Sequence, residues 1–470
     1  MRYLVLADDL TGAGDTAIAL AGPDALADVY LDMLSSSAMD ACDGSERPPV
    51  VAVDLHTRGL PVDEACRRVV QATAQAPAGV TLYKKIDSTL RGHIGAELAA
   101  LCDGLAGRGA APVVCIVAPA FPAMGRTLER GALRMDGKPV DAAALWGAGA
   151  PPTRGDIAAE LREHGYTCLS LYLDDIRAGQ ESELAARMTP ILTSLDPALR
   201  AMSGRGVPLP DDGNAPPGAR LAVVCDASCM DDLRRIVRAA RLLTARCVWV
   251  GSAGLAHALA DVDAQDAKAV SAAGAPQIRH ADSRPGQRPM AFVVGSFSAV
   301  AAEQVRVLAQ EAEVVHVALP ADELVDATGA IEAATARHIE DQLVAGRDLV
   351  LSISRQKIRP ELAQRLSAGM ASFAQAMLPR LDALVCCGGD TSRALLDRIG
   401  ARRLTVRGCG EPGVTLVRCD VQPGMPFIMK AGAFGDPQAL LRLRRQFKAA
   451  SHGPHAIPCA CPAHQSQTLT

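Results

Sequence analysis

Short apolar runs separated by amphipathic stretches recur along the chain. Tyr3–Ala7, Val50–Val53, Thr81–Tyr83, Val113–Val117, Leu221–Cys225 and Val248–Val250 are too short and too apolar for surface helices and read as buried strands. Helical spacing fills the intervals, from Pro61 to about Ala74 and from Ile94 to about Leu105. After residue 289 the alternation restarts. Strands are predicted at Met290–Val294, Val314–Val317, Leu349–Ile353, Leu384–Cys387 and Phe427–Met429, and helices at Ala299–Glu311, from Ser392, and from Pro437 to about Lys448. This is the pattern of an α/β protein with two domains, each a mostly parallel sheet flanked by helices. Residues 1–262 form the first domain and 290–448 the second. Polar, aperiodic 263–289 reads as a linker, and 449–470 as a disordered tail. Asp196–Arg220, rich in Pro, Gly and Asp, reads as an exposed loop or insertion.

The strand ends carry the chemistry. Tyr3–Ala7 runs into Asp8, Asp9, Thr11, Gly12, Gly14 and Asp15 before a helix that reads as starting near Ala17. A strand end, a glycine turn and a helix N-terminus accept anions, because free N–H groups and the positive end of the helix dipole point outward. Paired carboxylates at such a place can hold a metal, take a proton from a hydroxyl, or accept hydrogen bonds from a polyol. Capping of the turn by Asp8 or Asp9 is the plainer reading, but one cap leaves Asp8, Asp9 and Asp15 together unexplained. Arg58 follows a second strand, and Lys84, Lys85, Ile86, Asp87, Ser88 and Arg91 follow a third. Cations beside paired carboxylates suit a small substrate with a carboxylate at one end and hydroxyls at the other. The plainer alternative for Lys84–Arg91 is a solvated strand end with Ser88 as a helix N-cap.

The second half holds glycine turns instead. Gly388-Gly389-Asp390-Thr391 follows a strand and precedes a helix, the context of a phosphate cradle, and Thr391 offers a hydroxyl. Gly432 and Gly435 form another tight turn. There is no Walker A loop and no clean G-x-G-x-x-G fingerprint, so each loop alone is a weak signal.

Composition narrows the classes. Aromatics make up 3% and net charge is −4, which argues against single-stranded nucleic acid and against a basic footprint. Asp8 and Asp9 break the first apolar run too early for a signal peptide, and no apolar run is long enough to span a membrane. Most of the 14 cysteines are scattered through apolar stretches and read as reduced, which fits a cytoplasmic protein. Cys459 and Cys461, near His452, His455 and His464, form a loose metal-like cluster in the tail, with adventitious binding at most. The sequence carries no signal for oligomeric state; a homodimer is compatible with it.

Taken together the motifs resemble one family. Ala-Asp-Asp-Leu-Thr-Gly-Ala-Gly-Asp at 7–15, Lys-Lys-Ile-Asp-Ser-Thr-Leu-Arg-Gly at 84–92, Pro-Ala-Phe-Pro at 119–122, Val-Gly-Ser at 294–296, Gly-Gly-Asp-Thr at 388–391 and the Lys430–Gly435 turn are similar to those of the four-carbon acid sugar kinases, in consistent order from about residue 3 to about 445. The resemblance implies ATP-dependent phosphorylation of threonate, erythronate or an oxo-tetronate in carbohydrate catabolism. A sugar-acid-binding N-terminal domain and a nucleotide-binding C-terminal domain would share an active site in the interdomain cleft. It implies that Asp8, Arg58 and Lys85–Ser88 meet the acid, and that Ser296, Gly388–Thr391, Gly432 and Gly435 meet ATP. Asp8 or Asp9 is the expected group that orients or deprotonates the hydroxyl. Mg²⁺ is expected to bridge the phosphates, held by waters and by Asp390, with no dedicated protein metal site. Ala431 and Ala433 depart from the family's usual Ser and Asn and remove two hydrogen-bonding side chains. A non-catalytic sensor of sugar acid and nucleotide is the competing reading; a dinucleotide-dependent dehydrogenase is weaker, for want of its fingerprint.

Overall fold

A computed structural model of the chain describes residues 1–22, 26–32, 48–107, 113–140, 155–194, 220–268, 288–325, 333–354, 362–409 and 411–450. Most of the Asp196–Arg220 insertion, most of the linker and the Cys/His-bearing tail lie outside these residues. The strands in chain order are β1 (Tyr3–Ala7), β2 (Ala27–Tyr30), β3 (Val50–Asp54), β4 (Thr81–Lys85), β5 (Val113–Ala118), β6 (Arg126–Glu129), β7 (Ala132–Met135), β8 (Lys138–Pro139), β9 (Tyr166–Leu171), β10 (Arg220–Cys225) and β11 (Arg246–Gly251). Then follow β12 (Met290–Val294), β13 (Val314–Leu319), β14 (Asp348–Ile353), β15 (Ala383–Cys387), β16 (Arg403–Cys409), β17 (Val414–Cys419) and β18 (Gln422–Lys430).

The chain divides into two compact units. One comprises Met1–Asp8, Ala19–Gly22 and Asp32–Gly274; the other comprises Asp9–Ile18, Pro23–Leu31 and Ala275–Thr470. In the first, strands run in the order β3-β1-β4-β11-β5-β10-β9, all parallel. β1 lies between β3 and β4, in register Ala7↔Asp54 and Ala7↔Lys85, so three strand ends finish side by side. Leu4, Leu6, Tyr83, Ile116, Val223 and Leu255 are fully or almost fully buried around this sheet, each contributing roughly 1.5–3 kcal/mol relative to exposure. In the second unit the order is β13-β14-β12-β15-β18-β17-β16-β2. β13, β14, β12, β15 and β18 are parallel to their neighbours, whereas β18-β17-β16-β2 pair antiparallel. Its core packs Phe292, Leu308, Val350, Val385, Ile428 and Phe447.

Several elements differ from the sequence expectation. The first helix spans Leu10–Ala21, so Thr11, Gly12, Gly14 and Asp15 are helical and form no glycine turn. Asp9 starts it as a cap, its Oδ1 accepting from Gly12 N–H at 3.2 Å. Gly14 serves close packing: a Cβ there would sit 3.0 Å from Met429 and 3.2 Å from Thr415. The helix Ala253–Lys268 continues past residue 262 into the expected linker. Arg234 bonds Asp261 at 2.7 Å, Arg238 bonds Gln265 at 2.7 Å, and Tyr3 Oη donates to Asp263 at 2.8 Å, which anchors a segment without apolar period. The antiparallel strands β16 and β17 were not visible as apolar runs.

Candidate functional site

Asp8, Arg58, Lys85 and Asp87 come together in the first unit because they stand just beyond the adjoining ends of β1, β3 and β4. Ligands of open α/β sheets bind at such carboxyl ends. Asp8 is 3% exposed. Its Oδ2 accepts from Arg58 Nε at 2.8 Å, and its Oδ1 lies 3.9 Å from Lys85 Nζ, beyond hydrogen-bond range. Asp8 Oδ1 is therefore a buried acceptor with no hydrogen bond. Arg58 reaches Asp87 as well, at 3.8 Å. Asp87 accepts from Arg91 at 2.6 and 3.0 Å and from the Thr89 hydroxyl. Ser88 is buried, and Ile86 is a core residue whose N–H donates to Gly251 O at 2.9 Å. The loops carrying these groups include left-handed backbone at His56 (φ 49) and Leu90 (φ 58), a conformation that residues with a Cβ seldom adopt without surrounding support.

The solvated-end reading of Lys84–Arg91 fails for Lys84. Lys84 is fully buried and pairs with the equally enclosed Glu97 at 2.8 Å. Alternation along the strand sends Lys84 and Lys85 to opposite faces, so one lysine holds the following helix and the other reaches Asp8. Ser88 does not cap that helix, which begins at Ile94 after His93.

Burial pushes the Asp87 carboxyl up, but Arg58 and Arg91, with the Arg91 and Thr89 hydrogen bonds, outweigh it and hold Asp87 well below the usual carboxylate range. A depressed folded-state value means that the stabilisation is complete above the unfolded value of about 3.9 and is lost as pH falls from there toward the folded value. The melting temperature of the wild type is expected to fall across that acid window. Asp87→Asn should be less stable at neutral pH and show a shallower acid slope; identical slopes in the two proteins would remove Asp87 from this role.

In the second unit the glycine turns are likewise gathered by strand order. β12, β15 and β18 are adjacent and parallel, in register Val294↔Cys387 and Cys387↔Lys430, so Gly295–Ser298, Gly388–Thr391 and 431–435 leave neighbouring strand ends. Gly388 has φ +118, which favours glycine, and its N–H donates to Lys430 O at 2.9 Å. The helix Gly389–Arg398 starts at once, earlier than Ser392, and Ser392 N–H makes its first bond, to Gly388 O at 3.0 Å. The N–H groups of Gly389, Asp390 and Thr391 thus belong to the unsatisfied first turn. Asp390 is exposed on it, while Thr391 is buried, its Oγ1 against Gly295. Ser296 packs against Gly432, and Ser298 Oγ donates to Gly432 O at 2.6 Å. Gly435 closes the last turn at φ +85.

Asp9 stands with this second group. Thr11 Oγ1 donates to Asp9 Oδ2 at 2.6 Å, and a Cβ on Gly389 would be 3.2 Å from the same oxygen. Asp15 Oδ1 accepts from Gly413 N–H at 3.2 Å, which accounts for the third carboxylate of the opening motif. Sequence reasoning passed over Glu97 and Ser298. Their partners Lys84 and Gly432 come from other elements, and no local pattern signals them.

Comparison with known proteins now bears on this arrangement. A family model described as the sugar-binding N-terminal domain matches residues 3–259, and one described as the nucleotide-binding C-terminal domain matches residues 291–440. The D-threonate kinase of Cupriavidus necator is 36% identical, over 94% of this chain and 96% of its own length. The D-threonate kinase of Salmonella typhimurium is 29% identical, over 94% and 97%. The crystal structure of a Haemophilus influenzae protein superposes with a TM-score of 0.62 at 17% identity, covering 94% of this chain and all of that one, which bears on fold alone. Among the described residues, no helix is long and apolar enough to cross a membrane. Two domain models in the expected order and relatives matched along almost their whole length lead to one assignment: the chain belongs to the four-carbon acid sugar kinase family.

Proposed function

We propose that the protein phosphorylates the terminal hydroxyl of D-threonate with ATP. Both relatives described above carry that substrate in their names. The observation that carries the reading is the buried Asp8 Oδ1, an acceptor without a hydrogen bond beside the cations of Arg58 and Lys85. A substrate hydroxyl supplies the donor that Asp8 lacks, and the cations supply a seat for the carboxylate.

Asp8 is the better candidate than Asp9 for orienting that hydroxyl. Both Asp9 oxygens are engaged, one in capping the helix and one with Thr11. In a loose phosphoryl-transfer transition state there is little covalent chemistry for the protein to do, so positioning and charge stabilisation dominate. Arg58, Lys85, Ile86, Asp87 and Ser88 would meet the acid.

The second group of loops fits a polyphosphate. The first-turn amides of Gly389–Thr391 and the positive end of that helix point one way, and Gly388, with its positive φ and its N–H on Lys430 O, shapes the turn that leads into them. Ser296, Gly432 and Gly435 border it. Asp390 is exposed in the same turn and would meet a hydrated Mg²⁺. When bound, Mg²⁺ would neutralise charge on the transferring phosphoryl group.

The test is ADP release from ATP and Mg²⁺ with D-threonate, L-threonate, D-erythronate and 3-oxo-tetronate. D-threonate is expected to give the highest kcat/KM, with the product phosphorylated at the terminal carbon. Nucleotide and acid binding without ADP release would favour the sensor reading instead, which Ala431 and Ala433 keep in view.

A further inference from the structure

Lys430 closes β18 as a fully buried cation. Its Nζ donates to Ala431 O at 3.0 Å and to Phe434 O at 2.7 Å, and lies 4.0 Å from Cys387 Sγ. The three directions of the ammonium are thus spent on carbonyls and a thiol. Among the described residues no carboxylate forms an ion pair with it. Burial pulls the Lys430 ammonium down, with Cys387 and then Glu411 acting the other way, and Glu411 is itself held by Arg442 at 2.6 and 2.8 Å. Burying a charge without a counter-charge is costly. A neutral side chain of similar length would fill this space at lower cost, so the charge calls for a reason.

Its surroundings supply one. Lys430 O accepts from Gly388 N–H at 2.9 Å, so the same residue holds the Gly388 turn by its backbone and the 431–434 turn by its side chain. Its stem passes under Gly435, where a Cβ would lie 3.9 Å from Lys430 Cε. Gln304 Nε2 reinforces the turn from another side, donating to Phe434 O at 3.0 Å and Asp436 O at 2.9 Å. The turn is therefore tied through its own carbonyls, which does not require side chains at Ala431 and Ala433.

We propose that Lys430 is a positioning residue of the nucleotide site, whose ammonium holds the 431–435 turn beside the Gly388–Thr391 cradle and whose missing counter-charge is provided by the bound polyphosphate. This rests on the reading of that cradle as an ATP site. A charge enclosed in a medium of low dielectric is screened far less than one at a surface.

Calorimetry and steady-state kinetics on the full chain test it, using ATP and adenosine as the two probes. Lys430→Met is expected to weaken ATP binding about tenfold or more while adenosine affinity changes less than about twofold. KM for the acid should stay within about twofold, so the loss falls on one substrate. Lys430→Gln keeps a donor for the carbonyls but removes the charge, and gives the same result if Lys430→Met does not fold. A purely structural role would weaken ATP and adenosine alike, and that outcome overturns the proposal, as does unchanged ATP affinity in a folded variant. Failure of the wild type itself to bind ATP would instead refute the reading of the cradle.

Discussion

Asp8→Asn is expected to lower kcat by about 10²- to 10⁴-fold, the usual cost of losing a group that orients or deprotonates the reacting hydroxyl, while KM for ATP stays within about twofold. The substitution is isosteric and leaves Arg58 an oxygen to bond. What changes is the charge of the side chain and the acceptor at Oδ1, which makes no hydrogen bond within the protein. Rapid-quench measurement of a single turnover would place the loss in transfer itself. Asp9→Asn is the contrasting variant. Asp9 accepts from Gly12 N–H and from Thr11, so its loss should appear as about 1 kcal/mol of helix stability, with much less effect on kcat. Near wild-type turnover in Asp8→Asn together with a collapse in Asp9→Asn would exchange the two roles.

Gly389→Asp is expected to abolish saturation by ATP, raising its KM more than about 100-fold through a carboxylate set against the phosphates. The position makes the effect separable from unfolding. Gly389 is the first residue of its helix and lacks the positive φ of Gly388. An acidic residue in the first turn favours the helix by about 0.3–1 kcal/mol. A new Cβ would, however, stand 3.2 Å from Asp9 Oδ2, bringing two carboxylates together. Gly389→Ala meets the same close contact without the charge and should cost far less affinity. The melting curve and calorimetry with ATP read the two effects apart. Undiminished turnover in Gly389→Asp would remove this loop from the nucleotide site.

Both variants address loops that are legible in the sequence. β1, β12 and β15 are written as unbroken apolar runs, and β3, β4 and β18 each contain a shorter one, because parallel strands are covered on both faces. The turns at their ends can be read for the same reason, since polar residues and glycines begin where the run stops. What was hidden depends on partners far along the chain. The helix from Leu10 contains Thr11, Gly12 and Gly14, poor helix formers, and is sustained by the Asp9 cap and by close packing on Met429 and Thr415. The extension to Lys268 is held by arginines from the preceding helix rather than by an apolar stripe. Lys84 resembled any exposed lysine until Glu97 was found beside it. β16 and β17 alternate apolar residues with Arg and Thr, as antiparallel strands with unequal faces do, and so lack the continuous run that marks the other strands.

The assignment of Asp9–Ile18 and β2 to the second unit has a consequence for how the protein is made. β2 pairs with β16, Thr405 Oγ1 donates to Asp28 Oδ1 across 377 residues, and Asp15 meets Gly413 across 398. At ribosomal rates of about 5–20 residues per second, the opening segment waits roughly 20–80 s before its partners are synthesised. During that interval Val29 and the apolar face of the first helix have no native cover from the second unit. Once β16 emerges, its edge stays open until β2 arrives, and an open edge invites pairing with other strands. A gene cut at the linker would make the vacancy permanent, giving a C-terminal fragment without β2. Closure of the second unit by its first segment is therefore a pairing that synthesis makes available only late.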